Sequence, residues 1–560
     1  MPSPGHQAYR KNLAVWIEKH REDQDLVAQL QRLAPVVLVL WHLDLEPART
    51  VLMKGYAKHP RGGHPWDPLV TLRCLLLALL VSQPSLNKWP NELNGSGLLR
   101  ALAGFTDRRR PGVGTFYDWL HRLHDGPVRH GCEHVQPPSA VERRRAQTPL
   151  PPKPIPEAVP PKRRGRKPGP HKESTKATRR RKQQAARQHP ELAVVAQEAH
   201  CVTERLVAEL KAAQDLPNPE ELWTRLATIL LEVGVLASAR RGLLGNVQQL
   251  RVTGDGSPLR TGACRFGRRS PTCPHDPRTR CDCARLASDP DAAWGWDSHR
   301  KVWFFGHHFY ELNVNVSGHD LPLAITLAPG CASDFTESLR TLDRTRKLFR
   351  EHHLDETIRY FIADAGHDGV HNYTYCLEAG ITPIIPLKTP APAVHPTRPE
   401  LRLSPRGVPL CEGLAEMAPW GTAGPDRKAF LCPVRAGRLD RCPKAPAELP
   451  AWRCRPGEKW APSVTLRIRD NPRLCPPVPR NSPLFQELMN LRSGCERSNS
   501  VKKCPFELEK AHHRRASFWL IRLHLMAVLQ HARAWVQEQD PQLLIQQLLG
   551  RAEVPLDLAA

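Results

Sequence analysis

The feature that most constrains this chain is residues 357–368, TIRYFIADAGHD. Ile358, Tyr360, Phe361 and Ile362 form a short β-prone apolar run, the pattern of a strand covered on both faces of a mixed sheet. Asp364 stands at the carboxyl end of that run, followed by Ala365 and Gly366, where open α/β sheets place their ligands. For a single acid in this position the alternative is a cap on the helix expected from Val370. Two further acids in comparable settings favour a functional reading.

The first is Asp255, at the end of a strand-like run from Gln249 to Thr253 that reads as stopping at a Gly254-Asp255-Gly256 turn. The second is Glu496, in residues 484–503, LFQELMNLRSGCERSNSVKK. On one helix Met489, Arg492, Glu496 and Lys503 would fall within about 60° of a single face. Such a face can aim a carboxylate at a metal while two cations meet phosphates. The alternative is a solvated charged face with an ordinary Arg/Glu pair. Pro505 closes the segment.

The set Asp255, Asp364 and Glu496, with Arg492-x3-Glu496-x6-Lys503, resembles the catalytic core of the DDE transposases of bacterial insertion sequences, over roughly residues 62–535. Many of these carry a tyrosine, arginine, glutamate, lysine signature around the third acid. Here Met489 stands at the tyrosine position. The resemblance implies an α/β ribonuclease H-like core, a mixed five-stranded sheet with helices, interrupted by cysteine-rich insertions. It implies that Asp255, Asp364 and Glu496 are catalytic and hold Mg²⁺ or Mn²⁺, since three hard carboxylates suit two such ions. It implies that Arg492 and Lys503 bind DNA phosphates, with Asp368 in reserve should Asp364 be structural. The strands of Asp255 and Asp364 would then lie side by side.

The bulk properties agree with a nucleic-acid partner. The 560 residues carry 81 Lys and Arg against 56 Asp and Glu, a net charge of +25, which points to a polyanion bound through phosphate contacts. The start of the chain lacks an apolar signal segment. The apolar run of residues 69–81 is interrupted by Arg73 and too short to span a bilayer. Neither a membrane nor secretion is therefore expected, and the sixteen cysteines read as reduced thiols or metal ligands. The expected setting is cytoplasmic, on the nucleoid.

Residues 1–132 read as an all-α N-terminal domain, with Asp67-Pro68 starting the leucine-rich helix. By the resemblance it binds the ends of the element. Residues 133–190 are rich in Pro, Arg and Lys and poor in large apolar side chains, the composition of a disordered linker. Within it Arg163, Arg164 and Arg166 resemble an AT-hook for the minor groove, or serve as a basic tether on phosphates. Residues 191–245 read as a helical lead-in. Residues 246–388 hold the first part of the core, 389–480 an insertion, 481–540 the third acid and a C-terminal helix, and 541–560 a tail.

Two cysteine groups interrupt the core. Cys264, Cys273, His275, Cys281 and Cys283 offer ligands for one structural zinc in a small knuckle, or are free thiols. Cys411, Cys432, Cys442 and Cys454 form a second group in the insertion. The functional expectation is a transposase that binds terminal inverted repeats, then cleaves and joins strands as at least a homodimer. The alternatives are a catalytically inactive, transposon-derived DNA-binding protein, or a nuclease or resolvase on the same core.

Overall fold

The structure, a computed structural model, describes residues 2–56, 65–83, 85–105, 110–125, 222–265, 268–269, 274–276, 285–286, 289, 291–316, 318–354, 358–451, 453–454, 461–511, 513 and 515–552. A six-stranded mixed sheet dominates it. Its strands are β1 (Leu250–Arg260), β2 (Ala293–Asp297), β3 (Val302–Val316), β4 (His319–Pro329), β5 (Ile358–Ile362) and β6 (Thr382–Ile384). β3 is long enough to carry β4 and the short β2 end to end on one edge. Its other edge takes β1 antiparallel, and β5 and β6 follow in parallel. The five main strands have the order and directions of a ribonuclease H-like core, with β2 as an addition at the rim.

The expected double burial of β5 is present. Phe361 and Ile362 are both fully buried, yet they belong to different apolar clusters, because successive strand residues point to opposite faces. The β3–β4 hairpin turns through Gly318, whose φ of +78° suits glycine.

Helices cover the sheet: α1 (Leu222–Arg240), α2 (Asp334–Glu351), α3 (Val370–Glu378), α4 (Pro483–Asn490), α5 (Ser493–Lys503) and α6 (Ala516–Trp535). Among the described residues α1 alone is long and apolar enough to cross a membrane, and 67% of it is buried inside the fold. Its Trp223 donates to the Ile325 carbonyl on β4 at 2.7 Å. Among the described residues, eight further α-helices and a 3₁₀ helix lie between Pro4 and Asp125. Their Ile17, Trp89 and Trp119 join Tyr310, Phe361 and Trp519 in one continuous core, so these helices and the sheet are packed as one body. The Asp67 cap forms as the sequence suggests, accepting from Leu69 N at 2.7 Å. Arg73, the break in the apolar run, is buried with its guanidinium 3.8 Å from the Tyr9 ring centroid.

Between β6 and α4 the chain leaves the core and forms a lobe. Its antiparallel sheet comprises β7 (Ala418–Thr422), β8 (Arg427–Leu431) and β9 (Ser463–Arg467). Leu403, Val408, Met417, Phe430 and Leu466 make its small separate core.

Candidate active site

The Gly254-Asp255-Gly256 segment is not a turn; β1 runs straight through it to Arg260. A Cβ on Gly254 would stand 2.4 Å from the Tyr310 hydroxyl, and one on Gly256 would fall against Asp334 Oδ1 and the His308 ring. The glycines therefore mark close approach of side chains to a strand interior. Alternation along β1 puts Thr253, Asp255 and Ser257 on the opposite face, toward α5. There the Cys495 thiol reaches Thr253 at 2.9 Å, and Lys503 Nζ donates to Ser257 Oγ at 2.6 Å.

The register pairs Thr253 of β1 with Ile362 of the parallel strand β5. Two residues further along each chain, Asp255 and Asp364 stand at the same level. Burial, then the neighbouring charges of Asp334 and Asp364, push the Asp255 carboxyl up to about 7. Asp364 is shifted the other way, chiefly by its hydrogen bond from His367. His367 Nδ1 lies 2.7 Å from Asp364 Oδ1, and Gly366 N donates to the same oxygen at 2.8 Å. A carboxylate only accepts, so Nδ1 carries the proton. Nε2 of this buried ring meets the Tyr310 hydroxyl at 2.9 Å. Asp364 thus caps a short helical turn and is held in orientation by a two-residue chain reaching into the core.

The third acid lies on a helix that the sequence reading joined to its predecessor. α4 ends at Asn490 and α5 begins at Ser493. In the break, Arg492 N donates to Met489 O and Cys495 N to Arg492 O, the tighter spacing of a 3₁₀ turn. Gly494 lies at this break, where a Cβ would collide with Asn315. Met489 packs, as Tyr360 does, against the cluster that contains Phe485 and Leu488. Arg492 and Glu496 remain one turn apart and bond at 2.8 Å, with Glu496 57% exposed. Arg492 also feels the charges of Asp255 and Asp364. Burial lowers the Lys503 ammonium, against the opposing charge of Glu509.

One acid escaped the sequence reading. Asp334 opens α2 and pairs with His308 at 3.0 Å. Burial opposes its charge, but the His308 hydrogen bond prevails and keeps it below the ordinary carboxyl range. Directly after the Ser333 cap it looks like a helix-start acid, and sequence offers no sign that α2 begins beside Asp255. Asp368, the reserve candidate, is buried and held by two bonds from Arg473, at 2.9 and 2.7 Å, and by Lys388 N at 2.8 Å. This is a structural clamp between lobe and core.

Among the described residues no three His, Cys, Asp or Glu side chains already stand as a metal-holding group, since Glu496 is turned onto Arg492. The crowding of Asp255, Asp364 and Asp334, whose charges help to lift the Asp255 carboxyl, nevertheless fits a divalent ion of the Mg²⁺ class, which takes hard oxygen donors. Arg163, Arg164 and Arg166, and the knuckle residues Cys273, Cys281 and Cys283, lie outside the described residues; Cys264 and His275 are exposed.

The sheet and its acids define the class, an α/β protein with a ribonuclease H-like core. A family model described as a transposase DDE domain matches residues 267–529, so this part of the chain is similar to the DDE transposases. The match includes Asp364, Arg492, Glu496 and Lys503, whereas Asp255 precedes it. No curated protein and no solved structure gives a match.

Proposed function

We propose that this protein is an insertion-sequence transposase that binds terminal inverted repeats, cleaves DNA strands there and joins them to a target. Asp255, Asp364 and Glu496 are its catalytic acids. The observation that supports this reading is the parallel register ending at Thr253 and Ile362, two residues before Asp255 and Asp364, with Asp255 pushed up to about 7 by burial and neighbouring acids.

In this reading Asp255 and Asp364 hold Mg²⁺ or Mn²⁺, joined by Glu496 once it leaves Arg492. The bound ions supply activation of a water or 3′-hydroxyl and stabilisation of the departing oxygen. The protein's own part is orientation. His367 fixes the direction of the Asp364 lone pairs, as a hydrogen-bonding neighbour orients a metal ligand. Arg492, released by Glu496, turns a planar fork toward a phosphate. Lys503, already aimed across Ser257, supplies a second cation. The net charge of +25 provides the sequence-independent part of DNA binding. Joining two ends in one complex requires at least a homodimer.

The test uses purified protein, Mg²⁺ and a DNA fragment carrying the flanks of the gene, comparing wild type with Asp364→Asn. Nicks at a discrete boundary that vanish in the variant support the reading. Binding at that boundary without nicking by wild type supports an inactive DNA-binding descendant, and random cutting of branched DNA without joining supports a nuclease.

A further inference from the structure

The second cysteine group converges in the lobe. Cys411 Sγ and Cys442 Sγ lie 3.5 and 3.2 Å from one point, the position a Cβ on Gly413 would occupy. A Cβ there would sit tightly against Cys442 and in ordinary contact with Cys411. Burial, then the proximity of Cys442, Cys432 and Cys411, push the Cys454 thiol up, so the fourth sulfur shares the neighbourhood. The backbone prepares the same gathering. Cys411, Cys432 and Cys442 each open a turn, their carbonyls accepting from Leu414, Ala436 and Ala445 at 2.9, 3.0 and 3.0 Å. Cys442 N donates to Ala451 O near Cys454, and Cys432 N to Pro462 O ahead of β9. The first three cysteines are buried, and all four are free thiols.

We propose that Cys411, Cys432, Cys442 and Cys454 form a structural zinc site that staples the lobe. Among the described residues the four sulfurs do not stand as a metal-holding group; binding of zinc draws together turns that already converge. Four soft donors select Zn²⁺ over Mg²⁺ and leave no open position for chemistry. The lobe's core is small, and a bound metal commonly supplies folding energy that such a core lacks. Binding releases the thiol protons, so affinity falls as the pH is lowered.

The test uses the full chain with Cys264, Cys273, Cys281 and Cys283 changed to serine, which removes the other cysteine group. Elemental analysis after growth with zinc should give one zinc per chain, lost when Cys432→Ser and Cys442→Ser are added. Since that variant could unfold the lobe, the metal-free parent is also titrated with Co²⁺. A thiolate-to-cobalt charge-transfer band with the visible bands of a tetrahedral site is expected, and zinc should discharge it. No zinc in the parent, zinc retained without Cys432 and Cys442, no cobalt band, or disulfides among these four cysteines would each overturn the proposal.

Discussion

Asp255 and Glu311 are cross-strand partners on β1 and β3, and direct partners in an antiparallel pair point to the same face. Their surroundings differ completely. Lys502 pairs with Glu311 at 2.6 Å, both side chains fully buried, and places its remaining donors on Ser498 and Gln530 at 3.0 Å each. The ammonium thus has one ion-pair partner and two hydrogen-bond acceptors. Asp255 has acids for neighbours, relieved only by the more remote charges of His367, which is bonded to Asp364, and Arg492, which is paired with Glu496. An acid supplied with its own cation belongs to the architecture; an acid crowded by others is a place where a cation can be recruited.

That contrast can be broken at four points. Asp255→Asn should abolish strand cleavage, by at least about 10⁴-fold, corresponding to the several kcal/mol that a metal clamp contributes. Circular dichroism should show the fold intact. Glu311→Gln should do the reverse, costing about 3–5 kcal/mol of stability by stranding a buried ammonium. Denaturant unfolding reads that loss, and Glu311→Leu with Lys502→Met should recover most of it.

The third point is pH. A carboxyl raised on folding contributes stability that is present in acid and lost as the pH climbs through its folded value. Metal-free protein should therefore lose up to a few kcal/mol between roughly pH 4 and 7. Asp255→Asn should flatten that slope, and Mg²⁺ should offset it at neutral pH; an unchanged slope in the variant would assign it elsewhere. The smallest effect is expected at His367. His367→Phe should reduce cleavage by about 10–100-fold and raise the Mg²⁺ requirement, as loss of a ligand-orienting neighbour does. A magnesium titration separates that from simple loss of fold.

Reading the sequence reached the strand of Asp364 directly, because an apolar run covered on both faces announces itself locally. The helix expected from Val370 is present as α3. Asp255 was visible as an acid but misread as part of a turn. What makes Gly254 and Gly256 necessary is Tyr310, His308 and Asp334, fifty or more residues away, and no local pattern reports such packing. The break before α5 was hidden similarly, since Gly494 answers to Asn315 on β3. His367 left a faint trace, an imidazole three residues after an acid at a strand end. Asp334 left none.

The clamp between Asp368 and Arg473 bears on how such a chain can change over generations. Arg480, where the lobe returns, donates to the Ile385 carbonyl, where it departs, at 3.1 Å. Chain exit and re-entry are thus neighbours, and a segment of another length or origin could be exchanged there with little entropic penalty. Any replacement would inherit one obligation. It must bring a cation to Asp368, four residues from Asp364, or leave a buried carboxylate unpaired beside the chemistry. The lobe is therefore a cassette whose attachment to the core carries a charge requirement, met here by Arg473 at Asp368.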